Sequence, residues 1–537
     1  MKKLFLLFLG LGFTFLSSAQ HLIPSPSKIV VSSKGSYRIS PSESICISDS
    51  ALYAEAQELQ QIIKKRSGCS SRITVSSCPS KKQICLSLDS TLTEQEGYTL
   101  SITPKYIRIA GKTRAGIFHG IQTFDQLLLG DGGQQLHTTL NCLEIEDAPR
   151  YGYRALMLDP ARHFIPLAEV KRFIDLMARY KFNTLQLHLT DDQGWRVEIK
   201  KYPELTRRGA FRNPAGGSQG PDNGFYTQEE LKDLIDYAAA RHIEIIPELD
   251  IPGHTVAAIY TYPSLGCPLP DSLPIRFGET ADRTLCASSE QVYEFYAQVL
   301  QEISMLFPSK YIHLGGDEAV IDKNWGRCPH CRKLMDTLGY HEVRELMGYF
   351  FGRIHQLVQQ QGKEMMLWCE LDNVRLPAHE FLFPYPEEAV LFTWRMGLTP
   401  KTIELTGNAG IKLIASPGEH CYLDYPQYKG DLPEFRNLGM PLLTLEQSYR
   451  WDPGYWLPAE KQKHIIGVAG LLWGEALQDI NRITYMAYPR ALALAEAGWS
   501  KMENRSWNNF KNNLVPHLSD LMRQGISFRV PFELYRP

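Results

Sequence analysis

The feature that most constrains this chain is a regular alternation of short apolar segments with amphipathic ones, which begins near residue 149 and continues almost to the C-terminus. The apolar segments are rich in β-branched and aromatic residues and have the length of strands, whereas the segments between them repeat their apolar residues at helical spacing. The predicted strands are Arg154–Leu158, Thr184–Leu189, Ile243–Pro247, Tyr311–Leu314, Met365–Leu367, Val390–Thr393, Ile411–Ala415 and Gly467–Leu472. Eight strands that alternate with helices predict a (β/α)8 barrel.

The helical segments support the same architecture. They include Leu167–Tyr180, Gln228–Arg241, Gln291–Phe307 and Val343–Gln360. Thr227 and Glu230 have the spacing of a capping box at the start of the second of these helices. An open, doubly wound sheet is the alternative, but it requires a glycine-rich phosphate-binding turn after its first strand, and none follows here.

The segment before the barrel has a different pattern. Its predicted strands are Ile29–Val31, Ile84–Leu88, Tyr98–Ile102 and Tyr106–Ala110, and its predicted helices are Ala51–Lys65 and Thr113–Leu129. Paired strands beside helices predict a small α+β domain with a mostly antiparallel sheet. Asp147-Ala148-Pro149 reads as a boundary, so we expect an α+β domain over residues 20–148 and a barrel with a C-terminal helix over residues 149–537.

The N-terminus predicts export. A basic start, Met1-Lys2-Lys3, precedes the apolar run Leu4–Leu16 and the small residues Ser17-Ser18-Ala19, which is typical of a bacterial signal peptide over residues 1–19. We therefore expect a periplasmic or extracellular protein without a membrane span. With 57 Lys and Arg against 59 Asp and Glu, the chain has a formal net charge of −2, which gives no basic face for nucleic acid.

The cysteine pattern is compatible with export. Of the 11 cysteines, Cys267 and Cys286 bracket a proline-rich segment and are a candidate disulfide. Cys328 and Cys331 form a CxxC motif, which can be a redox pair or half of a zinc site. Because a second CxxC is missing, a structural or idle pair is favoured.

Polar and aromatic residues crowd the predicted C-terminal ends of the barrel strands, where barrel enzymes place their catalytic groups. In strand order they are Asp159, Arg162 and His163; His188, Asp191 and Asp192; Glu248, Asp250 and His254; His313, Asp317 and Glu318; Trp368 and Glu370; Trp394; Tyr422 and Asp424; Trp473 and Glu475. Several Trp rings beside polar groups are typical of a sugar-binding site, because the apolar face of a pyranose packs on indole. The repetition of this pattern at all eight ends predicts one active site.

The adjacent acids Asp317 and Glu318 are the most specific catalytic signal in that predicted site. They follow two glycines, which allow the backbone to turn tightly enough for both carboxylates to face a pocket. In an apolar, Trp-lined cavity, a carboxyl group has a raised pKa and can act as a general acid near neutrality.

A metal site is the competing interpretation of these strand ends. His188, Asp191, His254 and His313 are suitable ligand types, but no HxH or HExxH spacing occurs. We therefore expect no metal in the active site and no cofactor.

Several motifs, in order from about residue 148 to about residue 500, resemble those of glycoside hydrolase family 20, the β-N-acetylhexosaminidases. They are Leu158-Asp159-Pro-Ala-Arg162-His163-Phe164, Leu187-His188-Leu189-Thr-Asp191-Asp192-Gln193-Gly194-Trp195, Pro247-Glu248-Leu-Asp250-Ile-Pro252-Gly253-His254, His313-Leu-Gly-Gly-Asp317-Glu318, Leu472-Trp473-Gly-Glu475 and Tyr488-Pro489-Arg490 through Ala495-Glu496. The segment before them resembles the small α+β domain that precedes the barrel in bacterial members.

The resemblance implies a role for each matching residue. Glu318 is the implied general acid/base, and Asp317 holds the acetamido N–H of the substrate. The implied sugar-binding residues are Arg162, Asp424 and Glu475 for the ring hydroxyls, Tyr422 for the acetamido oxygen, Trp368 and Trp394 for the acetamido methyl group, and Trp473 for the sugar face. Asp191, Asp250 and His254 form the implied supporting network, and the Cys267–Cys286 spacing resembles a disulfide of family members.

The function implied is that of an exo-acting, retaining β-N-acetylhexosaminidase whose substrate is a glycan with a terminal β-linked GlcNAc or GalNAc. The family uses substrate-assisted catalysis. Two other readings are a sugar-binding barrel that has lost catalysis, which would not turn over an aryl β-N-acetylglucosaminide, and a metal-dependent N-deacetylase, whose acetate release would be sensitive to chelation.

Overall fold

The computed structural model describes residues 20–76, 82–129, 139–211, 223–269, 283–370, 383–395, 398–406, 410–429, 440–455 and 457–535. The predicted signal peptide, residues 1–19, lies outside these ranges. Among the residues within them, no helix combines the length and the apolar character that crossing a membrane requires.

The chain forms two sheets in succession. The strands of the first are β1 (Lys28–Arg38), β2 (Ser42–Ile47), β3 (Ser70–Val75), β4 (Gln83–Leu88), β5 (Tyr98–Ile102), β6 (Tyr106–Gly111) and β7 (Thr139–Asp147). The strands of the second are β8 (Tyr153–Leu158), β9 (Thr184–Asp191), β10 (Gly194–Trp195), β11 (Glu244–Leu249), β12 (Tyr311–His313), β13 (Glu364–Trp368), β14 (Val390–Thr393), β15 (Lys412–Ala415) and β16 (Ile465–Leu472).

The α-helices flank both sheets. They are α1 (Tyr53–Ser67), α2 (Arg114–Leu127), α3 (Leu167–Arg179), α4 (Glu204–Arg207), α5 (Gln228–Ala239), α6 (Val256–Thr261), α7 (Glu290–Leu306), α8 (Ile321–Asn324), α9 (Pro329–Leu338), α10 (Glu345–Gln360), α11 (Leu398–Thr406), α12 (Gly418–Cys421), α13 (Leu445–Arg450), α14 (Ile480–Ala487), α15 (Arg490–Trp499) and α16 (Trp507–Arg523). Short 3-10 helices span Ser50–Leu52, Pro263–Leu265, Ala459–His464, Gly474–Ala476, Met502–Asn504 and Phe532–Leu534. The capping box expected at α5 is formed, since Thr227 and Glu230 bond to each other's backbone N–H groups.

The first sheet corrects one sequence expectation. Its strand order is β1-β7-β5-β6-β4-β2-β3. The pairs β1–β7, β5–β7 and β5–β6 are antiparallel, whereas β2–β3, β2–β4 and β4–β6 are parallel. The sheet is therefore mixed, and the prediction of a mostly antiparallel sheet was wrong. Helix α1 supplies the crossover that returns the chain from β2 to the parallel strand β3.

The second sheet closes into the predicted barrel. Eight parallel strands follow the order β8-β9-β11-β12-β13-β14-β15-β16, and β16 pairs with β8 to complete the ring. The short strand β10 is antiparallel to β9 and lies outside the ring. Each predicted strand of this region lies on one of the eight, so the (β/α)8 barrel preceded by a small α+β domain is confirmed.

The barrel strands are buried on both faces. In β8, Ala155 and Met157 point into the barrel interior, where they join a core that includes Met366 and Phe392. Their neighbours Leu156 and Leu158 instead join the core between the strands and the helices. Because side chains alternate across a strand, this double burial produces the continuous apolar runs seen in the sequence.

The predicted Cys267–Cys286 disulfide is not present in the structure. Both residues are free thiols. The Sγ atom of Cys331 lies 3.9 Å from that of Cys267 and 3.7 Å from that of Cys286. The CxxC motif therefore packs against the cysteines that were expected to pair with each other.

Candidate active site

The C-terminal ends of the barrel strands enclose a cavity of about 400 Å³. Its lining comprises Arg162, Asp317, Glu318, Trp368, Trp394, Arg395, Gly418, Glu419, Tyr422, Asp424, Tyr425, Met440, Pro441, Trp473 and Glu475. Nine of these residues are the catalytic and sugar-binding candidates expected from the sequence, so the fold brings that entire set together at one opening.

The turn after β12 carries the acidic pair into this cavity. Gly315 and Gly316 have φ values of 61° and 99°, and Glu318 has a φ of 49°. The N–H of Gly316 donates a hydrogen bond to Oδ1 of Asp250 at 3.1 Å. A Cβ atom on Gly315 would lie 1.7 Å from the same oxygen. Glycine is therefore required at position 315 by backbone conformation and by space.

The two acids of the pair differ in exposure. The side chain of Asp317 is 15% exposed, whereas that of Glu318 is 59% exposed and lies at the mouth of the cavity. Partial burial of Glu318, followed by the negative charge of Asp317, raises the pKa of the Glu318 carboxyl above its ordinary value. A carboxyl group with a raised pKa can deliver a proton at a pH where an ordinary glutamate is ionised.

Three charged side chains, those of His254, Asp191 and Arg162, form a network of contacts next to the acid pair. Nδ1 of His254 lies 3.2 Å from Oδ1 of Asp191, and its Nε2 lies 3.7 Å from Oδ2 of Asp317 and 3.9 Å from Oε2 of Glu318. Oδ2 of Asp191 accepts from Nη2 of Arg162 at 2.9 Å. Burial opposes the charge of His254, but the neighbouring carboxylates, Asp191 foremost, together outweigh burial and raise the pKa of the imidazole well above its usual value. His254 is therefore a cation next to both acids.

A second group of charged side chains, deeper in the barrel, is fully buried. His188, Glu248 and His313 lie side by side in register on β9, β11 and β12. The Glu248 carboxylate lies 3.1 Å from Nδ1 of His188 and 3.2 Å from Nδ1 of His313, and it accepts from Nε1 of Trp368 at 2.8 Å. Burial opposes its charge, but the two imidazoles hold the pKa of Glu248 well below the ordinary range. This group fixes the orientation of the Trp368 indole.

Two further carboxyl groups near the pair have raised pKa values. Burial, followed by the charge of Asp317, raises the pKa of Asp250 well above its ordinary value and that of Glu370 to about 8. Oε1 of Glu370 accepts from the N–H of Glu318 at 3.4 Å. Glu370, with its pKa of about 8, holds its proton at neutral pH and so limits the negative charge around Asp317 and Glu318.

Aromatic rings form the walls of the cavity. The Trp368 and Trp473 ring centroids are 5.6 Å apart, and those of Tyr422 and Trp473 are 6.4 Å apart. Nε1 of Trp394 donates to the carbonyl oxygen of Cys369 at 3.0 Å, which holds that indole at the end of its strand. Such walls accept the apolar face of a small, flat ligand.

Hydrogen-bonding groups lie at one side of the aromatic walls. Nη1 of Arg162 bonds to Oδ2 of Asp159 at 3.0 Å, and its Nε lies 3.7 Å from Oε1 of Glu475. The Arg162 guanidinium also lies 5.0 Å from the Trp473 ring centroid. The fixed guanidinium and the half-exposed Glu475 carboxylate offer donors and acceptors to ligand hydroxyl groups.

Sequence reasoning missed some lining residues. Arg395 stacks at 3.8 Å on the ring of Trp394, and Tyr425 lies 5.2 Å from the ring of Tyr422. Arg395 directly follows Trp394, and Tyr425 lies three residues after Tyr422. Considering a few more residues after each predicted strand would therefore have included both. Glu419, Met440 and Pro441 lie in the connection after β15, from which sequence reasoning selected only Tyr422 and Asp424.

The chain is similar to characterised proteins over most of its length. A sequence model described as glycosyl hydrolase family 20, catalytic domain, matches residues 151–502, and one described as glycosyl hydrolase family 20, domain 2, matches residues 19–148. The chain is 40% identical over 445 residues to a beta-hexosaminidase of Akkermansia muciniphila, a match that covers 82% of this chain and 86% of the relative.

Solved structures give the same result. The N-acetyl-beta-hexosaminidase of Streptomyces plicatus in complex with Thio-NAglucal is 31% identical with a TM-score of 0.82, covering 96% of this chain and 97% of that one. The exo beta-N-acetylglucosaminidase of Vibrio harveyi in complex with N-acetylglucosamine is 32% identical with a TM-score of 0.81, covering 96% and 79% of the two chains. The barrel, the residues at its strand ends and these matches together show that this chain is an enzyme of glycoside hydrolase family 20.

Proposed function

We propose that this enzyme is an exo-acting, retaining β-N-acetylhexosaminidase that removes terminal, non-reducing β-linked GlcNAc or GalNAc from glycans. One observation carries the proposal: the Asp317–Glu318 pair, the aromatic walls and the Arg162 guanidinium all line the same cavity. The activities named for the relatives from Akkermansia, Streptomyces and Vibrio support it.

Exo action follows from the size and shape of the site. A cavity of about 400 Å³ is in the lower part of the range for small-ligand pockets. We assign the hydroxyl groups of the terminal sugar to Arg162, Asp424 and Glu475, and its apolar face to Trp473. We expect a sugar held in this way to be the terminal unit of the glycan, so that cleavage releases one residue at a time.

The acetamido group of the sugar occupies the inner part of the cavity in this proposal. Trp368 and Trp394 enclose its methyl group, and the Tyr422 hydroxyl donates to its oxygen. Asp317 accepts a hydrogen bond from its N–H and stabilises the positive charge that develops on nitrogen. Asp191, Asp250 and His254 hold the acid pair in place through the contacts described above.

The mechanism is substrate-assisted because Asp317 and Glu318 are chain neighbours and are not placed on opposite faces of a bound sugar. The acetamido oxygen attacks the anomeric carbon as the bond to the leaving oxygen breaks, and Glu318 gives that oxygen its proton. Water then attacks the anomeric carbon of the oxazolinium ion, the bond from that carbon to the former acetamido oxygen breaks and restores the acetamide, and the Glu318 carboxylate takes a proton from the water. Two inversions at one carbon leave a β-configured product.

The configuration of the first-formed product tests the mechanism. Proton NMR during early turnover should show the β anomer of the released sugar, and an aryl β-glucoside, which lacks the acetamido group, should be almost inert even at saturation. A first-formed α anomer would contradict the proposal. A panel of glycans labelled at the reducing end, followed for loss of one terminal HexNAc, would identify the preferred substrate.

We also propose that residues 1–19 direct export and that residues 20–148 and 149–537 are separate domains of the mature chain. The basic, apolar and small-residue regions of the N-terminus support the first part. N-terminal sequencing of enzyme from the periplasm or medium should begin after Ala19. An intact N-terminus on the cytoplasmic enzyme would contradict export.

A further inference from the structure

Four cysteines lie together outside the active site. The Sγ atoms of Cys267, Cys286, Cys328 and Cys331 are all within 4.8 Å of one another. The separations from Cys331 to Cys267 and to Cys286 are 3.9 Å and 3.7 Å. In a tetrahedral tetrathiolate zinc site with Zn–S bonds of about 2.3 Å, sulfur atoms are about 3.8 Å apart. Sulfur atoms in a disulfide are about 2.0 Å apart.

The fold holds these cysteines together through backbone and side-chain contacts that do not involve sulfur. Gly266 and Leu285 form an antiparallel bridge, and the N–H of Cys286 donates to the carbonyl oxygen of Leu265 at 2.8 Å. Nε1 of Trp325 donates to the carbonyl oxygen of Leu285 at 2.8 Å, which anchors the CxxC segment to the same place. The cluster is therefore a consequence of the local fold.

The donor set suits a soft metal ion. Cys286, Cys328 and Cys331 are buried, and Cys267 is partly buried. Cys328 is the N-cap residue of α9 and Cys331 lies in the first turn of that ten-residue helix, so the backbone N–H groups there favour thiolates. Four thiolates in a tetrahedral arrangement select zinc over hard cations such as Mg²⁺ or Ca²⁺.

We propose that Cys267, Cys286, Cys328 and Cys331 bind one structural zinc ion. Four protein ligands leave no open coordination position, so the ion takes no part in turnover. The first two ligands lie in the loop after β11, which also carries His254, and the other two lie in the loop after β12, which carries Asp317 and Glu318. The ion ties these two loops together. The proposal does not depend on which glycoside the enzyme cleaves.

Metal analysis of the full-length chain tests the proposal. The protein should be expressed with its own leader and purified without reductant or chelator, and zinc should be measured by inductively coupled plasma mass spectrometry. We expect about one zinc ion per chain in the wild type, and at least about a tenfold loss of zinc in C328S and in C331S. The matched control is C69S, which removes a free cysteine just before β3, far along the chain from the cluster, and should retain zinc.

A second measurement covers the possibility that the ligand variants do not fold. Wild-type protein grown with Co²⁺ in place of Zn²⁺ should show the intense visible absorption of a tetrahedral cobalt–thiolate centre, and a mercurial reagent that blocks thiols should release the ion. The thermal midpoint of wild-type protein should fall when zinc is stripped and rise again when zinc is restored. A metal-free protein in which non-reducing peptide mapping finds Cys267–Cys286 and Cys328–Cys331 disulfides would overturn the proposal, and so would iron in place of zinc.

Discussion

At the scale of single residues, the site depends on how charge is distributed among closely spaced acids. Asp317 and Glu318 share the cationic neighbour His254, and Asp250 and Glu370 have pKa values raised by burial and by Asp317. The pKa of Glu318 is raised in the same way, by partial burial and by Asp317. A raised carboxyl pKa is what general acid catalysis near neutral pH requires.

Replacing the proposed acid should affect substrates according to their leaving groups. We expect E318Q to lower kcat on natural glycosides by about 10²–10⁴-fold, because the leaving alkoxide loses its proton donor. On aryl glycosides with acidic leaving groups the loss should be smaller, since these leave without protonation. Steady-state kinetics on both substrate classes is the measurement. An equal loss on both would remove Glu318 from the acid role.

The pH dependence of kcat/KM should reveal the electrostatic interaction between Asp317 and Glu318. Glu318 must be protonated to act as an acid, so activity falls as pH rises through its raised pKa. D317N removes the adjacent negative charge and should lower the pKa of Glu318, which moves the alkaline limb of kcat/KM to lower pH. The control is D233N, a change at an exposed residue of α5. A limb that stays in place in D317N would contradict the assignment of this limb to Glu318.

At the scale of elements, the turn between β12 and α8 has a strongly constrained backbone. It contains three residues with left-handed φ values, namely Gly315, Gly316 and Glu318. The strand ending at His313 is only three residues long. The direction of the Glu318 side chain is therefore set by this turn and by the hydrogen bonds that Asp250 and Glu370 accept from it.

Filling the space at Gly315 should displace the acid pair. In G315A the new Cβ would overlap Oδ1 of Asp250, and we expect kcat/KM to fall by about 10²-fold. G362A is the matched control, since Gly362 has a φ of 69° and nothing within 4 Å of an added Cβ. Both changes incur about 1–2 kcal/mol for the left-handed conformation, but only G315A should impair turnover. Comparable kinetic losses in the two variants would contradict this reasoning.

At the scale of the whole molecule, a buried ion cluster joins the α+β domain to the barrel. Arg66 of α1 bonds to Asp125 of α2 at 2.6 Å and to Asp520 of α16 at 2.6 Å. Arg179 of α3 bonds to the same two carboxylates. The four side chains are largely buried and each cation faces an anion, and Nη2 of Arg523 adds a contact to Oδ1 of Asp520 at 3.2 Å.

Breaking this cluster should destabilise the whole chain. D520N leaves two buried guanidinium groups with one carboxylate, and we expect the free energy of unfolding to fall by about 3–5 kcal/mol at neutral pH. Burial opposes the charge of Asp520, but Arg179 and Arg66 lower its pKa below the ordinary range. Its contribution is therefore present above the unfolded-state pKa of about 3.9 and is lost as the pH falls further.

Urea titrations at neutral and acidic pH would measure this effect. The difference between wild type and D520N should shrink as the pH falls. D233N breaks an exposed pair with Lys171 and should change the free energy of unfolding by less than about 1 kcal/mol. A D520N variant as stable as D233N would show that the cluster is not needed to hold the two sheets together.

The amino-acid sequence by itself determined the barrel and most of the residues that line its candidate active site. Residues 155–158 of β8 are buried on both faces of the sheet and therefore form a continuous apolar run, visible without a structure. Polar residues interrupt these runs at their C-terminal ends, where a barrel places its active site. The polar residues at the strand ends and the barrel topology both indicate a site at the same end of the barrel. The eight strand ends could therefore be predicted to meet.

The tertiary structure alone decided the features that depend on contacts between distant segments. Strands β2, β3 and β7 did not stand out in the sequence, and the parallel pairing of β2, β4 and β6 is chosen by which strands the helices α1 and α2 can cover. The meeting of Cys267 and Cys286 with Cys328 and Cys331 depends on two loops that pack side by side. The spacing of residues along the chain predicts which side chains meet only when both belong to one helix or strand. The paired strands of the mixed sheet and the four cysteines belong to different elements, so their contacts could not be predicted in this way.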